Sequence, residues 1–399
     1  MRPLRPLAAI LAGLLVPPAG RAAPLGRAPD PAIPAFLAAQ PEAPIPEAAF
    51  AGQQPDAALP PGVPVEPDLP VEPRGAANNP AEGEMTPELD AAVARGLAWL
   101  AQRQRPDGSF ADAQFGRGVA VTSLACLAFM ADGNVPGRGA YGDNVQRGLD
   151  YVLRNCTESG LIASDSANSP MYGHGFATLF LGEVYGMTVG GGDTALADQV
   201  HRAVVKAVRL IESTQNEEGG WRYNPIPFDA DVSVTISLIM ALRSARNAGL
   251  EVAKPTIDRA VEYVRACQNP DGGFRYQMIA GPSAWPRSAA GVASLYYAGI
   301  YEDRAIDSGL SYLVTNALPG GGEADPIHYY YGQYYAVQAM FLAGGDQWAR
   351  WWPAIRRELL GSQQPGGRWE DPSTGDDYGT AMALIVLQMP KRYLPIFQK

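Results

Sequence analysis

Cys267-Gln268-Asn269-Pro270-Asp271-Gly272-Gly273-Phe274 recurs along the chain. Gln215-Asn216-Glu217-Glu218-Gly219-Gly220-Trp221 is a near copy, Gln104-Arg105-Pro106-Asp107-Gly108-Ser109-Phe110 is another, and Gln363-Gln364-Pro365-Gly366-Gly367-Arg368-Trp369 is a looser one. Gly160-Leu161 and Gly320-Gly321-Gly322 hold the same place in two weaker copies, which makes six. A spacing of roughly 50 residues marks a repeat architecture. Pro cannot continue a helix, and Gly readily takes the positive φ that closes one, so each copy predicts a helix stop. The aromatic residue packs beside the turn, and the Gln amide is placed to bond a carbonyl of the neighbouring unit.

Working outward, each turn separates two helices of different character. The helices before the turns, at 91–100, 145–153, 204–211, 257–266, 305–313 and 353–360, are amphipathic; Ile257, Val261 and Val264 form one apolar stripe. The helices after them, at 119–130, 176–184, 232–242, 289–300, 330–342 and 378–387, are apolar nearly all round, as in a helix buried on every side. Alternation of the two predicts an all-α fold, an (α/α)6 toroid of six helical hairpins with the apolar six as an inner ring. Closure leaves no repeat with a bare apolar face.

The chain has 399 residues, 47% of them hydrophobic, enough for a large core. Arg2 and Arg5 precede an apolar run at 7–16, and small residues follow at 20–23. That predicts an export signal over 1–23 and an exported, periplasmic or extracellular protein. The run is too short to span a bilayer and no Cys follows it, so no stable membrane anchor is expected. Residues 24–85 are Pro- and Ala-rich without helical period and read as a disordered linker. The folded domain is expected over 86–399, opening on Thr86-Pro87-Glu88 as N-cap, N1 proline and first-turn acid. A net charge of −10 with no basic stripe argues against nucleic acid. Cys126, Cys156 and Cys267 form no CxxC and read as apolar thiols rather than a disulfide framework or zinc ribbon. Oligomeric state is left open.

With its Gln-Asn-Pro-Asp-Gly-Gly-Phe and Gln-Asn-Glu-Glu-Gly-Gly-Trp turns, the chain resembles the superfamily of squalene and terpenoid cyclases and protein prenyltransferase β-subunits, from about residue 90 to the end. The resemblance implies the toroid; activity rests on particular residues. Cyclases of the superfamily carry Asp-x-Asp-Asp at the start of an inner helix, where the middle acid protonates an alkene or epoxide. Phe228-Asp229-Ala230-Asp231-Val232-Ser233-Val234 lies at that place, with Val232 for the last acid when the motif is aligned from Asp229, or with Asp231 first and Ser233 and Val234 for the later acids when it is aligned back from the helix end at Ala241-Leu242; either way the motif is incomplete. Asp229 and Asp231 are the catalytic candidates, and Asp231 also reads as a plain N-cap. Prenyltransferases need a zinc site of Asp, Cys and His. There is no Asp-x-Cys, and the helix that would carry the His reads Tyr331-Gly332-Gln333-Tyr334, so neither metal nor cofactor is expected. The thioester motif Gly-Cys-Gly-Glu-Gln of complement-like toroids is absent as well.

If the inner helices run parallel, their starts share one rim. Arg117, His174, Asp229 with Asp231, Arg287, His328 with Tyr331, and Asp376 with Asp377 would then converge on one mouth. Tyr172, Trp221, Tyr223 and Trp285 join them as aromatic lining. Two readings stand side by side: helix caps, which every helix start needs, and a ligand site over an apolar cavity. Trp348, Trp351 and Trp352 are expected to seal the ring between first and last repeats. The favoured function is an exported toroid that binds an apolar, isoprenoid-type ligand or a partner without family chemistry. The alternatives are a terpenoid cyclase using Asp229 or Asp231, and a polysaccharide lyase or hydrolase using Asp376, Asp377 and His174.

Overall fold

A computed structural model describes residues 83–110, 118–164, 169–188, 194–320 and 328–398. The expected export signal, nearly all of the linker, and Arg117 lie outside the described residues. Twelve α-helices follow one another among those described: α1 (Pro87–Arg103), α2 (Val119–Met130), α3 (Gly142–Arg154), α4 (Pro170–Thr188), α5 (Thr194–Ser213), α6 (Val232–Asn247), α7 (Lys254–Ala266), α8 (Trp285–Tyr297), α9 (Arg304–Asn316), α10 (Tyr329–Ala343), α11 (Gly345–Ser362) and α12 (Asp376–Leu387). Thr86 caps α1 through its hydroxyl, which accepts from Leu89 N at 3.3 Å, and Pro87 follows at the first helical position. Three helices begin six or more residues ahead of their apolar patterns: α4 at Pro170, α5 at Thr194 and α11 at Gly345. The tryptophan cluster therefore lies on α11 rather than ahead of it, with Pro353 inside the helix.

The even-numbered helices pack in sequence, α2 on α4, α4 on α6, and so on to α12, which returns to α2 and closes an inner ring. Each odd-numbered helix lies mainly on the inner helix before it, and α1 lies on α12. Every residue of α2 is buried. On α3 burial is confined to one face, Val145, Leu149 and Val152 among it.

The repeated turn is the joint between units. Gln104, Gln215, Gln268 and Gln363 each donate Nε2–H bonds to two carbonyls. One belongs to the turn's own glycine or its equivalent (Gly108, Gly219, Gly272, Gly367), and the other to the next outer helix (Asn144, Thr256, Ala305, Ala92). The last of these, Gln363 to Ala92 at 2.8 Å, ties the final repeat to the first. Gly272 sits at φ 86°, and a Cβ there would lie 2.4 Å from the carbonyl oxygen of Ser308, so both conformation and space demand glycine. Ring closure also uses Trp348, whose indole N–H donates to the Glu84 carboxylate ahead of α1 and whose ring stacks on Trp352.

The inner helices run parallel. Gln388, just after α12, donates to Ala128 O near the end of α2, and Ser244 of α6 donates to Glu183 late in α4. The last residues cross this end of the barrel, with Leu394, Ile396 and Phe397 buried there and Ile396 N donating to Glu183 at 3.0 Å. The opposite end holds the helix starts. The barrel axis between is filled: Tyr334 and Tyr335 meet edge to face at 4.9 Å, Tyr334 OH donates to Met240 Sδ at 3.4 Å, and Tyr297 OH donates to Gln338 at 2.6 Å.

Candidate ligand cleft and buried acid

At the mouth lies an aromatic cleft lined by Tyr172 and Phe176 of α4, His328 and Tyr331 at the start of α10, and Asp371, Thr374 and Tyr378 at the start of α12. It is narrow, with an open volume of about 10 Å³, room for about one water molecule. Asp371 is occupied in shaping the loop, accepting from Ser373 N, Ser373 Oγ and Thr374 N. His328 caps α10 at φ 66°, ψ 23°. A left-handed non-glycine residue costs of order 1–3 kcal/mol, and such residues cluster at ligand sites.

Behind Tyr172 lies the acid. Asp231 is fully buried at the N-cap of α6, where Oδ1 accepts from Val234 N at 3.0 Å and Oδ2 has no hydrogen-bond partner among the described residues. Burial raises its pKa to about 7 against the pull of Val234 N and the Arg222 guanidinium. About half of the carboxyl population is therefore neutral near pH 7, where an ordinary Asp is ionised, as expected of a desolvated acid. Arg222 approaches Oδ2 at 4.0 Å, pairs with Asp229, and lies over the rings of Tyr223 and Tyr276, whose hydroxyls are hydrogen-bonded to each other. Tyr172 joins the two compartments. Its ring is 6.4 Å from that of Tyr223, it lines the cleft, and burial and then the charge of Asp231 raise its pKa.

Of the expected mouth residues, then, Tyr172, Tyr223, Asp229, Asp231, His328 and Tyr331 gather around these compartments. Trp221, His174, Trp285, Arg287 and Asp377 do not. His174 is wholly buried in the wall, and its Nδ1 accepts from Ile162 N at 3.1 Å. It stands where the other turns use a hydroxyl: Phe110 N donates to Thr122, Trp221 N to Thr235, Phe274 N to Ser288 and Trp369 N to Thr380. Burial pushes the His174 pKa down to about 4. The Trp221 indole donates to Ile211 O of α5 at 2.7 Å. Trp285 packs against Gly332 of α10, where a Cβ would lie 2.1 Å from its ring. Arg287 donates to Phe274 O and Pro282 O and braces its own turn. Asp377 pairs with Arg103 at the end of α1, and Asp376 with Arg368, so both serve ring closure and the loop before α12. In each case the turn or the adjoining helix supplies a partner nearer than the mouth. Cys126 and Cys267 are buried thiols, while Cys156 is only partly buried.

Arg222, Tyr276, Phe176, Asp371, Thr374 and Tyr378 were not anticipated. Trp221-Arg222-Tyr223 and Phe274-Arg275-Tyr276 repeat aromatic-Arg-Tyr after two successive turns, and that repeat was the available signal for Arg222 and Tyr276. Among the described residues no cluster of His, Cys, Asp and Glu is placed to hold a metal ion, and no helix is long and apolar enough to cross a membrane.

A type II terpene cyclase of Scytonema, MstE, solved as a variant with geranylgeranyl dihydroxybenzoate, superposes with a TM-score of 0.53 at 15% identity over 77% of this chain and 98% of that one. Drimenyl diphosphate synthase of Streptomyces showdoensis is 28% identical over 190 residues, 46% of this chain. The chain has the terpenoid cyclase and prenyltransferase fold. The match covers 32% of the length of drimenyl diphosphate synthase, so it speaks for one part of that enzyme. An α-1,6-mannanase of Salegentibacter shares the toroid too, with a TM-score of 0.58 at 8% identity over 75% of this chain and 98% of that one. No protein-family model matches the chain.

Proposed function

We propose that this terpenoid cyclase-like toroid binds an apolar, isoprenoid-type ligand at the aromatic cleft that Tyr172 lines, with Asp231 offering it a hydrogen bond, and without cyclisation chemistry. The observation that carries this is the state of Asp231. A carboxyl whose pKa is about 7 is about half neutral near that pH, and in that form it donates hydrogen bonds. Alkene protonation demands a strong acid, and this carboxyl has no adjoining acid to strengthen it. Val232 stands where the adjoining aspartate of Asp-x-Asp-Asp would stand. The cleft is narrow and walled by tyrosines, so a chain enters only as Tyr172, Tyr331 or Tyr378 turns aside. The signal expected at 1–23 adds an exported setting to the proposal.

A second reading, a proton-initiated cyclase, is favoured by the likeness to drimenyl diphosphate synthase and by Asp231 at the middle position of the motif. Incubating the full chain with squalene and with radiolabelled geranylgeraniol separates the two. Retention of either compound unchanged, within a few-fold in wild type and Asp231→Asn, supports binding. A cyclised product that disappears in Asp231→Asn replaces this reading with the second. Retention of neither overturns both.

A further inference from the structure

Four of the six large apolar side chains that are strongly exposed among the described residues sit on two loops: Ile226 and Phe228 between Trp221 and α6, and Met278 and Ile279 between Phe274 and α8. Phe228 is 86% exposed and Ile279 73%. Such a concentration marks a contact surface, whereas apolar residues scattered singly do not. The loops occupy the same place in successive repeats, and both, 222–231 and 275–284, are longer than their counterpart 370–375. Their bases are tied together. Gln277 Nε2 donates to Ala230 O at 3.0 Å, Val232 N donates to Tyr276 O at 2.9 Å, and the Tyr223 and Tyr276 hydroxyls are hydrogen-bonded. Between the loops lies an open groove of about 490 Å³, lined by Phe228, Met278 and Ile279 and by Glu217, Glu218 and Asp229. The walls are fixed in advance, so a partner is spared the cost of ordering them.

We propose that this groove docks a short segment of a partner protein in which lysine or arginine stands beside apolar residues. Charge selects that occupant. Asp229 is paired with Arg222, but Glu217 and Glu218 are exposed and enter no ion pair among the described residues. They leave the acidic side of the groove uncompensated, on a chain whose net charge is −10. A basic side chain there meets two carboxylates, while Phe228, Met278 and Ile279 cover its apolar neighbours. The same charges disfavour the other occupants. A second copy docking through the same patch brings its own glutamates against these. The stretch 24–82 of this chain holds more acids than bases. An anionic lipid surface is repelled. The groove also has the size of a few side chains, which suits a peptide segment better than the face of a domain.

The test is fluorescence anisotropy with the full chain and labelled peptides. Each peptide has a four-residue core between Gly-Ser arms, and the cores hold two apolar and two basic residues in every order. Twin peptides carry Glu for the basic residues or Ser for the apolar ones. At least one basic and apolar core is expected to bind about 10-fold more tightly than both its twins, and added salt should weaken it. Phe228→Ser/Ile279→Ser, both on exposed side chains and checked for an unchanged unfolding midpoint, should weaken it about 10-fold. Glu217→Gln/Glu218→Gln should weaken it several-fold. Glu88→Gln/Asp90→Asn, which neutralises two exposed acids of α1, should leave it unchanged. An equal loss in the α1 variant shows attraction to the acidic chain at large and overturns the docking site. Binding that ignores the groove variants, an acidic twin that binds as well, or no binding by any core does the same. Sedimentation of the full chain as a dimer that Phe228→Ser/Ile279→Ser dissociates makes the groove a contact between copies and overturns the proposal. Cosedimentation with phosphatidylcholine and phosphatidylglycerol vesicles, abolished by the same variant, makes it a lipid contact and overturns the proposal too.

Discussion

Two positions separate Tyr172 from His174, and on an α-helix that is roughly 200° of rotation. With the Tyr172 ring turned to the cleft, His174 is carried into the wall, where the backbone of Ile162 claims its Nδ1. The same separation divides Trp221 from Tyr223. Three buried titratable groups make this scale measurable. Asp231 and Glu183 have folded pKa values raised to about 7, so the stability tied to their protons is complete below about pH 4 and is lost as pH rises to about 7. His174, lowered to about 4, acts oppositely: its contribution is complete above about pH 6.5 and is lost as pH falls towards 4. Chemical denaturation of wild type and Asp231→Asn from pH 4 to 8 should therefore give a difference curve that moves in favour of the variant as pH rises, by a few kcal/mol in all. A flat difference would mean that Asp231 ionises normally. His174→Gln should give a difference of the opposite slope.

At the scale of elements, the Gly turn is a lock between units as well as a stop. The outer helix of the next unit packs its carbonyl against the positive-φ glycine, and the Gln amide spans both. Gly272→Ala combines an unfavourable φ with a contact of 2.4 Å and should cost ~2 kcal/mol or more. Gln363→Ala removes three hydrogen bonds, two of them ties to Ala92 and Arg95 of α1, and should cost ~1–3 kcal/mol. Thermal unfolding measures both. Five copies of the turn, the alternation of helix types and the Thr86 cap were legible in sequence because each depends on local backbone chemistry, while Gly321 and Gly322 of the remaining copy lie outside the described residues. The early starts of α4, α5 and α11 were not, since those first turns are ordered by tertiary packing rather than by their own apolar period.

For the molecule as a whole, closure at both ends of the chain makes the ring one cooperative body. Trp348 and Gln363 join the last repeat to the first, and the C-terminal residues cover the barrel end opposite the mouth. A single unfolding transition is expected. Ile396→Ala, on a side chain 2% exposed, should lower stability by about 3 kcal/mol without splitting the transition. Calorimetry that resolved two transitions would show instead that the cover unfolds apart from the ring.

Repeat, helix count and inward face were set by sequence alone, since proline, glycine and apolar periodicity act over a few residues. The superfamily resemblance came from the same turns. Which polar side chain faces the cleft was decided only in three dimensions. Asp231, Arg222, Tyr223 and Tyr276 come from two successive turns, Tyr172 comes from a third repeat, and what each can bond depends on which neighbour reaches it first. Burial decided the protonation of Asp231 in the same way, because desolvation is a property of the assembled ring and is written in no single stretch of chain.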